Sequence, residues 1–295
     1  MRNIKTQIAL GLFFAGIAII CPVCASAAQR GGDTVTAVEL PPGENFTDID
    51  IKTLQAPITV RVAGPNEQAV LQLTNLEGET QISGGKITFD STRWERGRGN
   101  RFFAFLWLTP RKKGEVLLKL PQGSVDTIAA KITSGSIHIE NLNTGQMSAV
   151  VASGSIRIEN TDTQRIDAKV TSGTINLENL HFTEGELKTT SGDININGSG
   201  WDSLSTGVTS GNVRMGGASL GKDGGTSVRV TDGRVDIDVL ESSDGFTCSF
   251  RNTSGSSYIN GERINEGRVN VTSGNGSHQI DVTVTSGRIN LDFGQ

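Results

Sequence analysis

A short pattern that recurs at a fixed interval constrains this chain more than any other feature. It reads KITSGSIHIEN at 131–141, VVASGSIRIEN at 150–160 and KVTSGTINLEN at 169–179. A fixed period near 20 residues is the sequence signature of a repeat array. Numbered from the Ser of Ser-Gly, the copies begin at Ser134, Ser153, Ser172, Ser191, Ser210, Asp232, Ser254, Ser273 and, in truncated form, Ser286.

Apolar residues alternate on each side of the Ser-Gly step, which is the period of a half-buried strand. In the third copy, Val170 precedes Ser172 by two positions, while Ile175 and Leu177 follow it by three and five. The apolar spacing across Ser-Gly is therefore odd, and a straight strand would turn one arm outward. We expect a corner there, made possible by the backbone freedom of Gly, and a second corner at Asn141, Asn160 and Asn179.

These features predict an all-β, right-handed parallel β-helix, or β-solenoid, of about 19-residue coils, with an irregular β cap at its N-terminal end. Leucine-rich repeats do not fit because the coils leave no helix-length segment, and propeller blades need about twice the period. Right-handed winding is the default for such crossovers. If each coil lies on the one before it and strands stack ~4.8 Å apart, eight or nine coils form a rod of about 40 Å.

Four segments follow from the pattern. Residues 1–28 have a basic start, a short apolar run and the small residues ASAA, which indicates a signal peptide and export. Residues 29–45 contain Gly and Pro and are predicted to form a flexible leader. Residues 46–130 are predicted to form the irregular β capping region, and residues 131–295 the regular repeats.

The segment VLLKLPQG at 116–123, followed by ITSGSIHIEN and its successors, resembles the bacterial putative-adhesin family of β-strand-repeat envelope proteins. The resemblance extends from about residue 51 to the C-terminus and is most specific over 131–212. It implies a β-helical exported protein from a family whose function is largely unknown. It supplies no catalytic residues.

Composition narrows the possible functions. Without Arg2 and Lys5 the remaining chain has 25 basic and 31 acidic residues, a net charge of −6, which argues against nucleic acid as a partner. Cys248 is the one Cys outside the predicted signal peptide, so we expect no intramolecular disulfide and a core thiol. No motif indicates a cofactor or metal, because His138, His181 and His278 are far apart in the sequence.

Two sets of outward carboxylates are candidate sites. Asp236 and Asp238 would lie about 7 Å apart on one strand, compatible with a polysaccharide lyase or an inverting glycosidase. No cluster of Arg and Lys accompanies them, so we do not expect an enzyme. A ladder of Glu140, Glu159 and Glu178 could hold a cation, but relief of their repulsion by Arg157 is the preferred interpretation.

The segment 93–113 departs from the repeat pattern, with seven basic residues, two Trp and three Phe. It could be a hairpin that covers the open end of the solenoid, or a docking element for an anionic membrane or another envelope component. The candidate partner-binding residues are Trp94, Arg96, Arg98, Arg101, Phe103 and Trp107.

The sequence therefore predicts a non-enzymatic exported protein that offers an adhesin-like structural or binding surface in the cell envelope. The periplasm is the expected location, with the cell surface or the extracellular space as the alternative. Two other functions stay open. One is a carbohydrate-active enzyme acting on an acidic polysaccharide, and the other is a membrane-associated component of envelope stress or assembly.

Overall fold

The computed structural model describes residues 25–30, 33–41, 44–97, 113–121, 123–242, 246–264, 268–273 and 278–294, and within these the chain is almost entirely β-strand. One short helix, α1 (Thr92–Gly97), is described. The strands are β1 (Ala25–Arg30), β2 (Asp33–Glu39), β3 (Asp48–Thr53), β4 (Ile58–Val62), β5 (Val70–Thr74), β6 (Glu79–Ser83), β7 (Lys86–Asp90), β8 (Glu115–Leu120), β9 (Ser124–Glu140), β10 (Asn143–Ser191), β11 (Ile194–Asn197), β12 (Gly200–Val239), β13 (Phe246–Ile259), β14 (Glu262–Ile264), β15 (Arg268–Ser273) and β16 (His278–Phe293).

The long strands wind through successive coils that pair in parallel, as the repeat pattern predicts. Ile156 pairs with Ile137 and Ile194 with Ile175, in each case 19 residues away. These side chains are fully buried, so identical positions of successive coils stack into one apolar column. The all-β, solenoid-like architecture is therefore confirmed, while the right-handed winding stays a prediction.

Both predicted corners are present. Gly173 has a φ of 136°, and the equivalent Gly of the neighbouring copies, Gly154 and Gly192, have values of 138° and 142°. Asn160 and Asn179, at the second corner, have left-handed φ values of 47° and 56°. Glycine lacks the Cβ that disfavours such torsions, and Asn tolerates the left-handed region better than most residues.

The expectation that each coil lies on the one before it is wrong at the C-terminal end. The last coil, β16, pairs in parallel with β12 on one side and with β13 on the other. It is therefore an inner layer, although it comes last in the sequence. Strands β14 and β15 pair antiparallel with β13 and cover the outer edge of the β13 coil.

The N-terminal end has the same inverted order. Strands β3 and β4, first of the parallel strands in the sequence, pair directly with β9. The later strands β7 and β8 pair with their other edges, and antiparallel strands continue the sheet outward from there. The segment 46–130 is therefore not irregular throughout, since β3 and β4 form a regular coil in register with the repeats.

Two further expectations need correction. Residues 33–39, predicted to belong to a flexible leader, form strand β2, which pairs with β5. The start of the 93–113 segment is helical rather than half of a hairpin, because α1 extends to Gly97. The Glu95 carboxylate accepts hydrogen bonds from the backbone N–H of Leu54 at 2.9 Å and of Gln55 at 2.7 Å, which ties α1 to the turn after β3.

Candidate functional site

A groove of about 720 Å³ crosses six coils on one side of the solenoid. We call it the lateral groove. It begins at Val125 and Asp126 and ends at Leu220 and Gly221. Five strand spacings of ~4.8 Å separate the first coil from the last, so the lateral groove is about 24 Å long.

Two columns of outward positions line the lateral groove, the first with one member on each of the last five coils and the second with one member on each of the six. One side of each coil precedes the Ser-Gly corner and a second side follows it as far as the Asn corner. The columns are on the third side, which begins after the Asn corner. Small residues in both columns make the surface concave, because a missing side chain leaves room above the backbone. The first column is Asn143, Asp162, His181, Gly200 and Ser219, and the second is Asp126, Gly145, Gln164, Thr183, Asp202 and Gly221.

The charge of the lateral groove is negative. Among the described side chains that line it, Asp126, Asp162 and Asp202 are acidic and none is Lys or Arg. Asp162 lies 3.5 Å from the His181 ring in a solvent-exposed pair. No hydrogen bond or ion pair joins the exposed carboxylates of Asp126 and Asp202 to another described side chain, so both are available to a ligand.

The floor of the lateral groove is aromatic and rigidly held. The Phe182 and Trp201 rings are stacked with centroids 5.7 Å apart, and both are nearly fully buried. The Trp201 Nε1–H donates to Thr226 Oγ1 at 2.8 Å, and that hydroxyl lies 3.0 Å from His278 Nε2. This chain fixes the tilt of the Trp201 ring.

His278 completes the support beneath the groove. Its Nδ1 lies 2.7 Å from the Gly221 carbonyl oxygen, which only accepts hydrogen bonds, so Nδ1 carries a proton. A neutral ring then leaves Nε2 to accept from the Thr226 hydroxyl. Burial lowers the pKa of His278, although the hydrogen bond to Gly221 acts in the opposite direction. The neutral tautomer therefore satisfies every polar atom of this chain.

A second, smaller concavity of about 190 Å³ lies on another side, where the inner coil β16 meets β13. It is lined by Tyr258, Gly261, Arg288, Asn290 and Asp292. The Arg288 guanidinium lies 5.2 Å from the centroid of the Tyr258 ring, so one aromatic face interacts with a cation. These residues meet only because β16 is inserted between β12 and β13.

The candidate catalytic pair, Asp236 and Asp238, is largely engaged in contacts within the sheet. Asp236 accepts hydrogen bonds from Arg234 Nε at 2.6 Å and from Asn290 Nδ2 at 2.7 Å. Asp238 lies near the backbone N–H of Gly217 at 3.4 Å. Neither residue lines the lateral groove.

The predicted relief of the Glu ladder is confirmed. Arg157 forms an ion pair with Glu159 and another with Glu178, the latter at 3.0 Å. His138 lies 3.4 Å from Glu159. Among the described residues, no group of three His, Cys, Asp or Glu side chains could hold a metal ion.

The candidate residues of the 93–113 segment are only partly placed. Trp94 lies in α1 and is half-buried. Arg96 belongs to the same helix, and its side chain lies outside the described part of the structure. Arg98, Arg101, Phe103 and Trp107 lie outside the described residues, so docking on an envelope component or an anionic membrane through this segment stays a prediction. No helix in the described ranges is long and apolar enough to cross a membrane.

Cys248 faces the core, as the alternation of Phe246 and Phe250 around it predicts. Burial, and to a smaller extent the charge of Asp281, raise the pKa of its thiol to about 12. A thiol that stays protonated at neutral pH is a poor nucleophile. This residue is therefore a packing residue.

The sequence did not point to the lateral groove. The outward residues of the third side share no residue type from coil to coil, so no column stands out in the repeat alignment. A signal was present nevertheless, because Gly145, Gly200 and Gly221 are glycines at positions where neither corner needs one. Glycine in a strand often marks a place where another chain or a ligand approaches closely.

The structure is an all-β solenoid with a long, acidic groove along one side. The chain belongs to the Toastrack DUF4097 family, whose model matches residues 46–292. This match confirms the resemblance stated from the sequence. A comparison with curated proteins finds no match.

Several solved structures are similar to the chain at low identity. A putative adhesin from Bacteroides fragilis has 13% identity and a TM-score of 0.47, over 89% of this chain and 98% of that chain. A putative adhesin from Parabacteroides distasonis has 13% identity and a TM-score of 0.40, over 88% and 96%. A putative lipid binding protein from Parabacteroides distasonis has 13% identity and a TM-score of 0.44, over 89% and 97%.

Proposed function

We propose that this protein is a non-enzymatic, adhesin-like binding protein of the cell envelope, and that the lateral groove is its binding surface. The observation that supports this most is the groove itself, which continues across six coils and contains two uncommitted carboxylates, Asp126 on its first coil and Asp202 on its fifth. A site of that length suits a polymer better than a small metabolite. Export, inferred from residues 1–28, would place it where envelope polymers occur.

The groove is also built for binding without large rearrangement. Its floor is held by the Phe182–Trp201 stack and by hydrogen bonds from Trp201 through Thr226 to His278. A preformed surface avoids the entropy cost of ordering loops when a ligand binds. Each coil adds one row of side chains, so the affinity grows with the number of rows that a ligand contacts.

The charge of the groove disfavours an acidic polysaccharide, which was an alternative ligand class. Asp126, Asp162 and Asp202 would repel a polyanion, and no described lining side chain is Lys or Arg. Like charges brought together on a binding surface cost affinity and act against the wrong partners. The proposed ligand is therefore uncharged or basic.

The test uses a pair of matched substitutions. Thr183→Trp fills the middle of the lateral groove, whereas Thr171→Trp adds the same bulk at an exposed position beside the Ser-Gly corner. Both proteins are incubated with an extract of the envelope from the source cells, and the bound fraction is measured. We expect Thr183→Trp to lose binding and Thr171→Trp to keep it. Equal binding by the two variants would contradict the proposal.

A further inference from the structure

The two columns of the lateral groove advance by one row per coil, and this spacing selects among extended polymers. Rows lie ~4.8 Å apart, as parallel strands do. In an extended peptide, side chains on the same side repeat every second residue, at about 6.7 Å, so they fall out of step with the rows. An extended pyranose chain advances by about one sugar ring per row, so each ring would face one pair of outward side chains.

The acidic side chains are placed on every second coil of the groove. Asp126, Asp162 and Asp202 belong to its first, third and fifth coils, and the middle one is in the opposite column. Ionised carboxylates only accept hydrogen bonds, so they suit a ligand whose surface consists of donors. Sugar hydroxyls supply such donors without a charge.

Amide and hydroxyl side chains occupy the intervening positions. Asn143, Gln164, Thr183 and Ser219 can each donate and accept, as can the hydroxyls of a sugar. The backbone contributes little, because the amides of these coils pair with neighbouring coils. Recognition therefore depends on side chains that match a hydroxyl-rich chain over its whole length.

We infer that the lateral groove binds one extended strand of an uncharged polysaccharide along the solenoid axis, with about one sugar ring per coil. This inference rests on the proposed function. The proposed ligand is an uncharged glycan. A basic peptide would also be attracted to the carboxylates, and the test distinguishes the two ligands.

The experiment measures the binding of four probes to the full-length protein by calorimetry at low and moderate salt. The probes are linear β-1,4-linked hexasaccharides of glucose and of N-acetylglucosamine, a polygalacturonate oligomer, and hexalysine. We expect at least one uncharged hexasaccharide to bind with an affinity that hardly changes with salt. Polygalacturonate should not bind. The disaccharide of the same uncharged sugar should bind far more weakly than its hexasaccharide, because the disaccharide contacts fewer rows.

Two variants locate the binding. Asp126→Asn with Asp202→Asn removes both charges and leaves the shape intact, and it should weaken hexasaccharide binding by roughly tenfold per carboxylate, since hydrogen bonds to charged groups are stronger than neutral ones. Arg234→Gln, on another side of the solenoid, is the control and should bind as the wild type does.

Three outcomes would overturn the inference. Binding of hexalysine alone, lost at moderate salt, would assign the groove to basic peptides. Binding of polygalacturonate would contradict the charge argument. Failure of both uncharged hexasaccharides, while Thr183→Trp still abolishes binding to the envelope extract, would reject the ligand class and leave the proposed function standing. If Thr183→Trp binds the extract normally, the proposed function fails as well.

Discussion

Gly173 shows how a single residue fixes the shape of a coil. Its φ of 136° is in a region that residues with a Cβ rarely adopt. A Cβ at this position would also overlap with the backbone carbonyl of Gly154 in the neighbouring coil. Both constraints recur at Gly154, Gly192 and Gly211, so the column of glycines allows the corners to stack closely.

We predict that Gly173→Val destabilises the protein more than Gly221→Val. The first change combines a torsional strain of about 1–3 kcal/mol with a clash against fixed backbone. At Gly221 the closest clash of a new Cβ is with the Asp202 carboxylate, which can rotate away. Thermal unfolding of the two variants is the measurement. Equal shifts in Tm would show that the Ser-Gly corner is not strained.

A second prediction concerns the direction in which neighbouring side chains point. Ile175 is fully buried beside Ile194, so Ile175→Ala should lower the free energy of unfolding by roughly 2–5 kcal/mol. Asn176 points outward and accepts one hydrogen bond from Asn195 at 2.9 Å. Its replacement by Ala should cost about 1 kcal/mol or less. Denaturant unfolding of both variants checks this, and a larger loss at Asn176 would reverse the assigned strand phase.

At the scale of single residues, the sequence predicted the backbone corners correctly. The odd apolar spacing across Ser-Gly predicted the corner at Gly173, and the conformational tolerance of Asn predicted the corner at Asn179. Both inferences depend on local backbone preferences, which are encoded in neighbouring residues.

At the scale of elements, the distinctive feature is that β16 lies between β12 and β13. Every coil offers the same kind of parallel edge, so the repeat pattern alone does not determine which edge a later coil will use. The sequence therefore predicted sequential stacking, and the structure has β16 as an inner layer. The same ambiguity applies to β3 and β4 at the other end.

Engineered disulfides can test the order of the layers. Arg229 and Arg251 both pair with Thr283, from opposite sides. We predict that Arg229→Cys with Thr283→Cys forms a disulfide under mild oxidation. Arg229→Cys with Arg251→Cys should not, because two strand spacings of ~4.8 Å exceed the reach of a disulfide.

Each oxidised variant is digested with a protease, and the peptides that contain the two introduced Cys residues are identified by mass. A disulfide is shown by a linked pair of peptides that separates on reduction. Sequential stacking would give the opposite result, because it would place Arg229 beside Arg251 and leave Thr283 beyond them. Cys248 does not interfere, since its thiol is buried and its pKa is raised to about 12.

His278 is the first residue of β16 and connects this inner coil to its neighbour. Its ring lies against the Gly221 carbonyl and the Thr226 hydroxyl, and a proton on Nε2 would leave the Thr226 hydroxyl without its acceptor. Because burial lowers the pKa of His278 in the folded state, the unfolded chain binds this proton more readily. The contribution of His278 to stability is thus complete above pH 6.5 and is lost as the pH falls below that value.

We therefore predict that the free energy of unfolding decreases as the pH falls below about 6.5, and that His278→Gln weakens this decrease. Urea unfolding at a series of pH values measures it. His181→Gln is the control, because the His181 ring is largely exposed and makes no buried hydrogen bond. If the His278 variant and the wild type show the same pH dependence, the neutral buried ring is not the cause.

At the scale of the whole molecule, the protein is a stack of similar coils in which two sides follow the repeat and the third does not. The repeating sides contain ion pairs such as Lys169 with Asp167 at 3.0 Å, which are typical of a solvated sheet. The third side varies in size from Gly145 to His181 and is concave. Variation imposed on a regular scaffold is where a repeat protein acquires a specific surface.

The all-β solenoid architecture could thus be predicted from the sequence, whereas the order of its layers and the candidate site could not. Prediction of the fold used residues that recur, such as Ile156 and Ile175. The lateral groove depends on Gly200 and Asp202, which have no counterpart of the same type in neighbouring coils. The sequence directed attention instead to the basic and aromatic segment 93–113, whose docking role stays a prediction.

Photo-crosslinking tests most directly whether the lateral groove is the binding surface. The photoreactive amino acid p-benzoylphenylalanine is introduced one position at a time at Gln164 or Thr183 in the groove, and at Thr171 or Asn176 on the other sides. Each protein is irradiated with an envelope extract and the adducts are resolved by mass. We predict adducts from Gln164 and Thr183 and none above background from Thr171 and Asn176. Adducts from Thr171 or Asn176, with Gln164 and Thr183 unreactive, would contradict the assignment of the groove as the binding surface.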